Sequence, residues 1–363
     1  MALGDRSWVD FGGRTSQALV TGAAAFGAWA FLMNRWIINW VDGDEKRFAT
    51  PALALVLGAL AFVPIVRRWP GPWAKVGALV IVLFTFGELR RAWLRHQYAV
   101  EQAGGPSIAL FHPVTTTELV VRHFEVPLRG LGIPRLRVVQ LSDLHVTEEL
   151  PEAYYERVLG ELRGREPDLV LLTGDYLSRI GRLPLLEEFL RKLPHGRYGV
   201  FAVLGNHDHW LHDARVAEAF SRAGIPLLSG TCVFVPAAGT PAVRLCGTEQ
   251  PWGPTLARET VAKASPASAP LLVMSHTPDN VYDLAELGAA AVFSGHTHGG
   301  QFRAPLLGSI VIPSRYGRRF DLGHFTVDGT HLFVSAGVGA DQPPLRLYCN
   351  PELVEVDFTD AAR

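Results

Sequence analysis

Long apolar runs dominate the first hundred residues, and this pattern predicts helices that cross a membrane. Residues 16–33 contain no charged side chain, and two shorter apolar runs follow near residues 51–66 and 73–89. A spanning helix needs roughly 17–25 apolar residues. The first run reaches this length, whereas the others need their flanking residues, including Lys75 with its side chain extended to the interface. We expect about three transmembrane helices, with two spans or buried core helices as alternatives.

Basic residues beside these runs bear on the orientation of the chain. With three spans, the positive-inside rule favours a cytoplasmic C-terminal domain by one residue. The side of the N-terminus has Arg6, Arg14, Arg67, Arg68 and Lys75, and the other side has Arg35, Lys46, Arg47, Arg90, Arg91 and Arg95.

The composition changes after Arg95. Residues 101–113 are rich in glycine, proline and polar side chains, which is typical of a linker. Residues 115–126 alternate as a strand at the edge of a sheet does. The chain therefore divides into a transmembrane anchor over residues 1–100, a linker with an edge strand over 101–134, and a domain over 135–363.

Short apolar strands alternate with helices in this domain. Strands are predicted over 136–141, 169–172, 198–204, 271–274 and 290–293, with helices over 151–162, 185–192, 214–223 and 279–287. Further strands are predicted at 231–235, 242–247, 309–312, 324–327, 332–335 and 353–358. Alternation of strand and helix indicates an α/β sheet, and the added hairpins predict a second sheet packed on the first. The expected fold is a four-layer αββα sandwich preceded by an N-terminal helical transmembrane region.

Composition removes some classes of function. The formal net charge of the 363 residues is −1, so no basic surface indicates a nucleic-acid partner. Three cysteines without a CxxC spacing exclude a disulfide framework and a zinc ribbon. Cys232 and Cys246 could pair across a hairpin, but we expect free buried thiols, which agrees with a cytoplasmic domain.

Polar side chains follow five of the predicted strands where each strand ends. Alone, each has an ordinary explanation as a turn, a helix cap or a buried histidine. Together they form a set of oxygen and imidazole donors without thiolate, which suits Mn²⁺, Zn²⁺ or Fe. Two such ions can stabilise the attacking and leaving oxygens of a displacement at phosphorus. The residues are Asp143, His145, Asp175, Asn206, His207, His276, His296 and His298.

These blocks resemble, in order, the motifs of the calcineurin-like metallophosphoesterases. The matching segments are Asp143-x-His145, Gly174-Asp175, Gly205-Asn206-His207-Asp208, His276 and Gly295-His296-Thr297-His298-Gly299-Gly300-Gln301. The last segment is similar to a membrane-linked branch with transmembrane segments before the phosphoesterase domain. That branch includes bacterial enzymes that cleave the pyrophosphate of UDP-2,3-diacylglucosamine.

The resemblance implies a role for each residue. Asp143, His145, Asp175 and His298 would hold one divalent ion, and Asp175, Asn206, His276 and His296 would hold a second. His207 would be the catalytic histidine that supports the leaving oxygen, and Asp208 would orient it. Arg346 could hold a phosphate in a bidentate way, although a surface salt bridge is an equally good explanation.

The sequence therefore predicts a membrane-anchored, binuclear metal-dependent phosphoesterase. A phosphate ester linked to a lipid, such as UDP-2,3-diacylglucosamine or a phospholipid, is the expected substrate, and the resemblance places the protein in a bacterial-type inner membrane. The alternatives are hydrolysis of a soluble phosphodiester and a non-catalytic membrane scaffold. An intact ligand set opposes the scaffold, because a degenerate domain would have lost ligands.

Overall fold

The computed structural model describes residues 99–101, 113–211, 213–237, 240–264, 268–304 and 308–361. All of them belong to the second of two units of the chain, Gln97–Arg363. The predicted transmembrane helices near residues 16–33, 51–66 and 73–89 lie outside the described residues. Within the described ranges, no helix has both the length and the hydrophobicity that crossing a bilayer requires.

The described residues form an α/β fold. Its strands are β1 (Ala99–Glu101), β2 (Val120–Leu128), β3 (Arg135–Leu141), β4 (Leu169–Leu172), β5 (Val200–Ala202), β6 (Cys232–Ala237), β7 (Thr240–Thr248), β8 (Leu271–Ser275), β9 (Ala289–Ser294), β10 (Arg303–Ala304), β11 (Gly308–Ser309), β12 (Gly323–Val327), β13 (Thr330–Val334) and β14 (Glu352–Asp360). Its α-helices are α1 (Glu152–Gly164), α2 (Leu183–Lys192), α3 (Asn206–Trp210), α4 (Asp213–Arg222), α5 (Arg258–Lys263) and α6 (Val281–Glu286).

The strands build two mixed sheets and one short hairpin. The five-stranded sheet has the order β2-β14-β3-β4-β5, and the seven-stranded sheet has the order β1-β12-β13-β9-β8-β7-β6. Strands β3, β4 and β5 are parallel in the first sheet, and β7, β8, β9 and β13 are parallel in the second. Strand β2 lies at one edge of the five-stranded sheet and covers Val120–Leu128, a range shifted from the 115–126 of the predicted strand.

The core shows how the layers pack. One buried cluster contains side chains from both sheets, including Val138 and Phe293, so the sheets face each other. A second cluster joins the outer face of the five-stranded sheet to α1, α2 and α4. A third joins the outer face of the seven-stranded sheet to α5 and α6. The order of the layers is therefore helix, sheet, sheet, helix.

The longer helices form where the sequence supplies both a start signal and an apolar face. Pro151 precedes α1 with an extended backbone, and Glu152 places a carboxylate in the first turn, where the helix dipole favours it. Tyr155, Val158 and Leu162 are buried at intervals of three and four residues, which places them on one face against the sheet. Pro184 is the second residue of α2 and lies in its first turn, where a missing backbone N–H leaves no helical hydrogen bond unmade.

Two local predictions differ from the structure. The predicted strand over 309–312 is reduced to the two-residue β11, and Ile310 and Val311 are exposed. These residues favour strands, but a strand forms only beside a partner, and β10 is two residues long. In addition, α3 and α5 are short helices, whereas the sequence pattern predicts no helix at these positions.

Cys232 and Cys246 form a disulfide, so the prediction of free thiols at these positions is wrong. The register of the antiparallel pair β6 and β7 places the two residues directly opposite each other, with their Cα atoms 4.0 Å apart. Because the two cysteines are paired, they no longer support a cytoplasmic location of the domain. Cys349 is free and buried.

Removing the disulfide is expected to lower the free energy of unfolding by about 3 kcal/mol, the chain-entropy value for a loop of roughly 15 residues. The test is the unfolding midpoint of the Cys232→Ser/Cys246→Ser protein in detergent, followed by tryptophan fluorescence. Reductant should lower the midpoint of the wild type and leave the double variant unchanged. The pairing would be contradicted if reductant does not change the unfolding midpoint of the wild type and both Cys232 and Cys246 can be alkylated before reduction.

Candidate metal centre

Loops that follow five strands meet at one edge of the two sheets. Strands β3, β4 and β5 are parallel, as are β8 and β9, so their carboxyl ends lie together within each sheet. Gln140 on β3 donates to the carbonyl oxygen of Ser294 on β9 at 2.9 Å and ties the two sheets together beside these loops. The structure brings all seven predicted metal ligands together here: Asp143, His145, Asp175, Asn206, His276, His296 and His298.

Left-handed backbone marks these loops. Nine non-glycine residues in the described ranges have positive φ, and five of them are predicted ligands: Asp143, His145, Asp175, His296 and His298. Each such residue costs on the order of 1–3 kcal/mol and persists only where its surroundings hold it. Backbone hydrogen bonds do so here, because Asp143 N–H donates to Gly174 O at 2.9 Å and His145 N–H to Asp175 O at 3.1 Å.

The first group of ligand atoms comprises Asp143, His145, Asp175 and His298, which are all buried. The Nε2 atoms of His145 and His298 are 3.1 Å apart. Asp143 Oδ1 lies 3.4 Å from His298 Nε2, and Asp175 Oδ2 lies 3.7 Å from His145 Nε2. Two imidazole nitrogens and two carboxylate oxygens that meet in a buried space fit a divalent cation.

The second group comprises Asp175, His276 and His296, with Asn206 beside them. His276 Nε2 lies 3.1 Å from Asp175 Oδ2 and 3.1 Å from Asn206 Oδ1. The same Asp175 oxygen therefore faces both groups, while its Oδ1 accepts the N–H of His207 at 2.9 Å. This arrangement suits one carboxylate shared between two ions.

Hydrogen bonds fix the imidazole rings. Nδ1 of His276 lies 2.7 Å from Thr173 O, and Nδ1 of His145 lies 3.1 Å from Ser178 Oγ. A donor–acceptor contact at Nδ1 leaves Nε2 directed at the centre, as ligating histidines require.

The pKa values of these groups follow from their burial and charges. Burial, and then the charge of His207, lowers the pKa of His145 to about 4. Burial, and then the charge of His276, lowers that of His296 to about 3. Burial opposes ionisation of Asp175, but the charges of His276 and His207 outweigh it and hold the pKa well below its usual value. Burial lowers the pKa of His276, but Asp175 outweighs it and raises the pKa to about 9. The site thus combines neutral imidazoles at His145 and His296 with a protonated imidazole at His276 and a carboxylate that stays ionised.

Glycines of the motifs make room for this packing. A Cβ at Gly174 would lie 2.5 Å from His276 Nδ1, and one at Gly205 would lie 2.2 Å from Asp175 Oδ1. These distances are too short for any other residue, so the loops can approach each other only through glycine.

Comparison with known proteins agrees with this geometry. A family profile described as calcineurin-like phosphoesterase matches residues 136–300, a range that contains every residue of both ligand groups. The chain carries a calcineurin-like metallophosphoesterase domain. The enzyme class predicted from the sequence, a hydrolase of the metallophosphoesterase type, is confirmed.

Three relatives match between 50% and 70% of this chain. The metallophosphoesterase YkuE of Bacillus subtilis is 27% identical over 267 residues, 70% of this chain and 90% of its own length. The phosphodiesterase YaeI of Escherichia coli is 28% identical over 248 residues, 66% of this chain and 87% of its own. The UDP-2,3-diacylglucosamine pyrophosphatase LpxG of Chlamydia trachomatis is 24% identical over 229 residues, 50% of this chain and 69% of its own.

The surroundings of His207 differ from the prediction. Asp208 does not orient this imidazole, because the fully buried Asp208 carboxylate accepts the backbone N–H groups of Asp175, Tyr176 and Gly205 at 2.8–2.9 Å. Burial, with the charge of Asp175, raises the pKa of Asp208 to about 7. Asp208 therefore holds two motif loops together, and its nearness to His207 in the sequence was misleading.

Arg346 is also placed differently from the prediction. Its side chain is fully buried and is neither a surface salt bridge nor accessible to a phosphate. Nε donates to Gly339 O at 2.7 Å, and the other two nitrogens donate to backbone carbonyls, among them His298 O at 3.1 Å and Ala336 O at 2.5 Å. Arg346 thus supports the loop that carries His298.

Replacing Arg346 with lysine is expected to destabilise the domain and leave KM nearly unchanged. Lysine lacks the planar fork of donors, so one or two buried carbonyls lose their partner at about 1–3 kcal/mol each. Thermal unfolding and steady-state kinetics on the same sample test this. A large rise in KM with an unchanged unfolding midpoint would restore the substrate-binding role.

Four residues of the centre were missed by sequence reasoning. Asp341 Oδ2 lies 3.6 Å from His207 Nε2. The Trp210 ring lies 5.0 Å from that of His207, and the Trp252 ring lies 4.9 Å from that of His296. Gln301 ends the last motif and binds the Asp341 loop. Of these four residues, only Gln301 could have been found from the sequence, because it is the last residue of the motif that begins at Gly295.

Proposed function

We propose that this protein hydrolyses a phosphodiester or pyrophosphate bond with two divalent metal ions. The observation that carries the proposal is the position of Asp175 Oδ2. It lies 3.1 Å from His276 Nε2 and 3.7 Å from His145 Nε2, so it faces one nitrogen of each ligand group. A shared carboxylate between two sets of nitrogen and oxygen donors is what a binuclear centre for phosphoryl transfer needs.

The resemblance supports a division of the ligands between the two ions. Asp143, His145, Asp175 and His298 would hold one ion, and Asp175, Asn206, His276 and His296 would hold the other. The donors fit Mn, Zn or Fe, none of which requires thiolate. When bound, the ions supply positive charge that activates water and stabilises the developing charge at phosphorus.

His207 is proposed to assist the leaving group. Its side chain is 22% exposed, so the ring borders both the ligand groups and solvent. The ring packs edge-on against His145 at 4.8 Å between centroids. Water adds to phosphorus and loses a proton to solvent, the bond to the leaving oxygen breaks, and that oxygen takes the electron pair and a proton from the imidazole.

The proposed substrate is a phosphate ester linked to a lipid. LpxG, by its name, acts on UDP-2,3-diacylglucosamine, and the apolar runs before residue 90 would hold the domain near a bilayer. Tethering raises the local concentration of the domain over lipid headgroups. Hydrolysis of a soluble phosphodiester is the second candidate, and YaeI is named simply as a phosphodiesterase.

We further propose that the protein is anchored in a bacterial-type inner membrane. The excess of one basic residue favours a cytoplasmic domain, but the disulfide Cys232–Cys246 favours an oxidising compartment. Because the positive-inside rule favours the cytoplasm by only one basic residue, the disulfide is the stronger argument. The proposal therefore places the C-terminal domain on the side of the membrane away from the cytoplasm.

The test uses full-length protein in detergent, loaded with Mn²⁺, and ³¹P NMR to follow products. Substrates are UDP-diacylglucosamine, common phospholipids and bis(4-nitrophenyl) phosphate. Release of UMP or a lipid phosphate by the wild type supports the lipid-linked substrate. Turnover of the soluble diester alone would contradict it and keep the phosphoesterase. No turnover in any sample despite bound metal would favour the scaffold.

A further inference from the structure

A row of apolar side chains crosses four neighbouring backbone segments of the domain. Val114 pairs with Leu347 in an antiparallel bridge, and Leu347 pairs with Phe302 in a parallel bridge. The backbone N–H of Ile310 donates to the carbonyl oxygen of Phe302 at 3.1 Å, next to the pair of β10 and β11. Side chains of residues paired across adjacent segments lie on the same side. These four residues therefore form one surface, which we call the apolar strip.

The residues next to the strip in the sequence have the opposite character. Each of them is polar and at most 8% exposed: Thr115, Ser309, Gln301 and Arg346. In the strip itself, Ile310 is 59% exposed and Val114 is 49% exposed, while Phe302 and Leu347 are half-buried. These segments thus place polar side chains inside and apolar side chains outside, which reverses the usual arrangement of a domain surrounded by water.

The inner, polar side is explained by hydrogen bonds within the domain. Ser309 Oγ donates to Asp321 Oδ2 at 2.9 Å, and Thr115 Oγ1 accepts a backbone N–H at 3.2 Å. Arg346 donates to His298 O at 3.1 Å and so supports a loop of the metal centre. These bonds give no reason for the apolar outer side, because hydrophobic side chains stabilise a structure only when they leave water.

The chemistry of the strip fits the surface of a bilayer. Its four side chains are uncharged, and Val311 beside it is also exposed, at 44%. Apolar side chains of this kind enter the boundary between headgroups and acyl chains to a depth of about 5–10 Å. The chain enters the range 113–211 at this strip, and the apolar runs of the proposed anchor precede it in the sequence.

We propose that the apolar strip lies on the lipid bilayer in which the chain is anchored. This inference rests on the proposed anchor and deepens the proposal of a lipid-linked substrate. Phe302 closely follows His298, and the Leu347 N–H donates to Gln301 O at 2.9 Å, so the strip is built on the end of the last metal motif. A tether alone raises the local concentration of the domain. Contact through the strip also fixes the orientation of the metal centre relative to the bilayer.

The first test locates the strip in vesicles of phosphatidylcholine and phosphatidylglycerol that contain the full-length protein. Val114→Cys and Ile310→Cys each carry a fluorescent label, and Ala153→Cys, at an exposed position of α1, is the matched control. The native cysteines do not compete for the label, because two form the disulfide and the third is buried.

Phosphatidylcholine with brominated acyl chains should quench both labels on the strip and leave the Ala153→Cys label unchanged. Strip labels that are not quenched, or equal quenching at all three positions, would overturn the proposal. Strip labels that report an apolar environment without quenching would also overturn it, because protein would then cover the strip. Dilution of the protein in the vesicles would show whether that protein is a second copy of this chain.

The second test removes the apolar character of one exposed position. Ile310→Asp should lower kcat/KM for UDP-diacylglucosamine in vesicles about 10-fold, the order expected when one large aliphatic side chain remains in water. Turnover of bis(4-nitrophenyl) phosphate and the unfolding midpoint should not change, since Ile310 is exposed and is not a predicted ligand. Ile310→Leu is the matched variant and should retain both rates. Equal loss on both substrates in Ile310→Asp would overturn the proposal.

The quenching experiment separates this inference from the proposed function, because it does not depend on turnover. Quenched strip labels in a protein that hydrolyses no ester would support the strip as a lipid-binding surface and overturn the proposed hydrolysis. Turnover of the soluble diester by a protein whose strip labels are not quenched would overturn the strip and keep the phosphoesterase.

Discussion

Replacing Asp175 with asparagine is expected to lower kcat/KM on the order of 10³-fold, the upper range for loss of one charge-stabilising group. Asp175 Oδ2 faces both ligand groups, at 3.1 Å from His276 Nε2 and 3.7 Å from His145 Nε2. Asparagine keeps the shape and the acceptor for His207 N–H, but it replaces the shared anion with a neutral amide. The measurement is turnover of a diester at saturating Mn²⁺, with bound metal counted by mass spectrometry.

Bound metal distinguishes this explanation from misfolding. Asp175→Asn should bind fewer ions per chain than wild type and retain the wild-type circular dichroism spectrum. Asp328→Asn is the matched control and should retain both ions and full activity. An Asp175→Asn protein with two tightly bound ions and near-normal turnover would show that Asp175 is not shared.

Replacing Gly295 with alanine is expected to be the most damaging single-methyl change in the centre. A Cβ at this position would lie 1.8 Å from Ser142 Oγ and 2.2 Å from Asp143 Oδ2, and both neighbours are fully buried. The loop must shift, at about 1–3 kcal/mol for an overpacked site. Because Asp143 also accepts His296 N–H at 3.0 Å, the shift moves two ligands at once. Activity should fall on the order of 10²-fold, since misplacement by about 1 Å has that effect.

Gly160→Ala is the matched control for this prediction. Gly160 lies in α1, and nothing lies within 4 Å of the Cβ that alanine would add. Alanine in a helix is about 0.5–1 kcal/mol more favourable than glycine, so this variant should unfold at a slightly higher temperature with full activity. If Gly295→Ala keeps wild-type activity while its unfolding temperature falls, the loop matters for folding and not for placing the ligands.

Much of the centre could be predicted from the sequence because each ligand follows a strand that is easy to recognise. Asp143 comes two residues after β3, and His276 comes directly after β8. Parallel strands bring their carboxyl ends to one edge of a sheet. Residues that follow successive strands in the sequence therefore lie close together in the structure. The resemblance divides these residues into two groups, and the structure brings together the first group and, in the second, Asp175, His276 and His296 with Asn206 beside His276.

The remaining features depend on contacts between loops that no periodicity encodes. Asp208 is next to His207 in the sequence, but helix α3 turns its carboxylate to the N–H groups of other loops. Arg346 was predicted as a possible phosphate ligand, because the sequence does not show that its guanidinium is buried. The burial arises only when several loops place backbone carbonyls around this side chain. The disulfide required the register of β6 and β7, which depends on the length of their turn.

The same limit applies to the surroundings of His207. Asp341 follows β13 in a loop without a motif, and this loop is held beside His207 by hydrogen bonds that include those to Gln301. The chemistry of a strand end can be recognised in the sequence alone, whereas a partner supplied by a distant loop can be recognised only in three dimensions.

The most direct test of the binuclear centre is an anomalous difference map from crystals of the full chain grown with Mn²⁺. Two peaks are expected, one among Asp143, His145 and His298 and the other among Asn206, His276 and His296, with Asp175 touching both. A single peak, or peaks that leave Asp175 without contact, at a Mn²⁺ concentration that gives full activity would contradict the account.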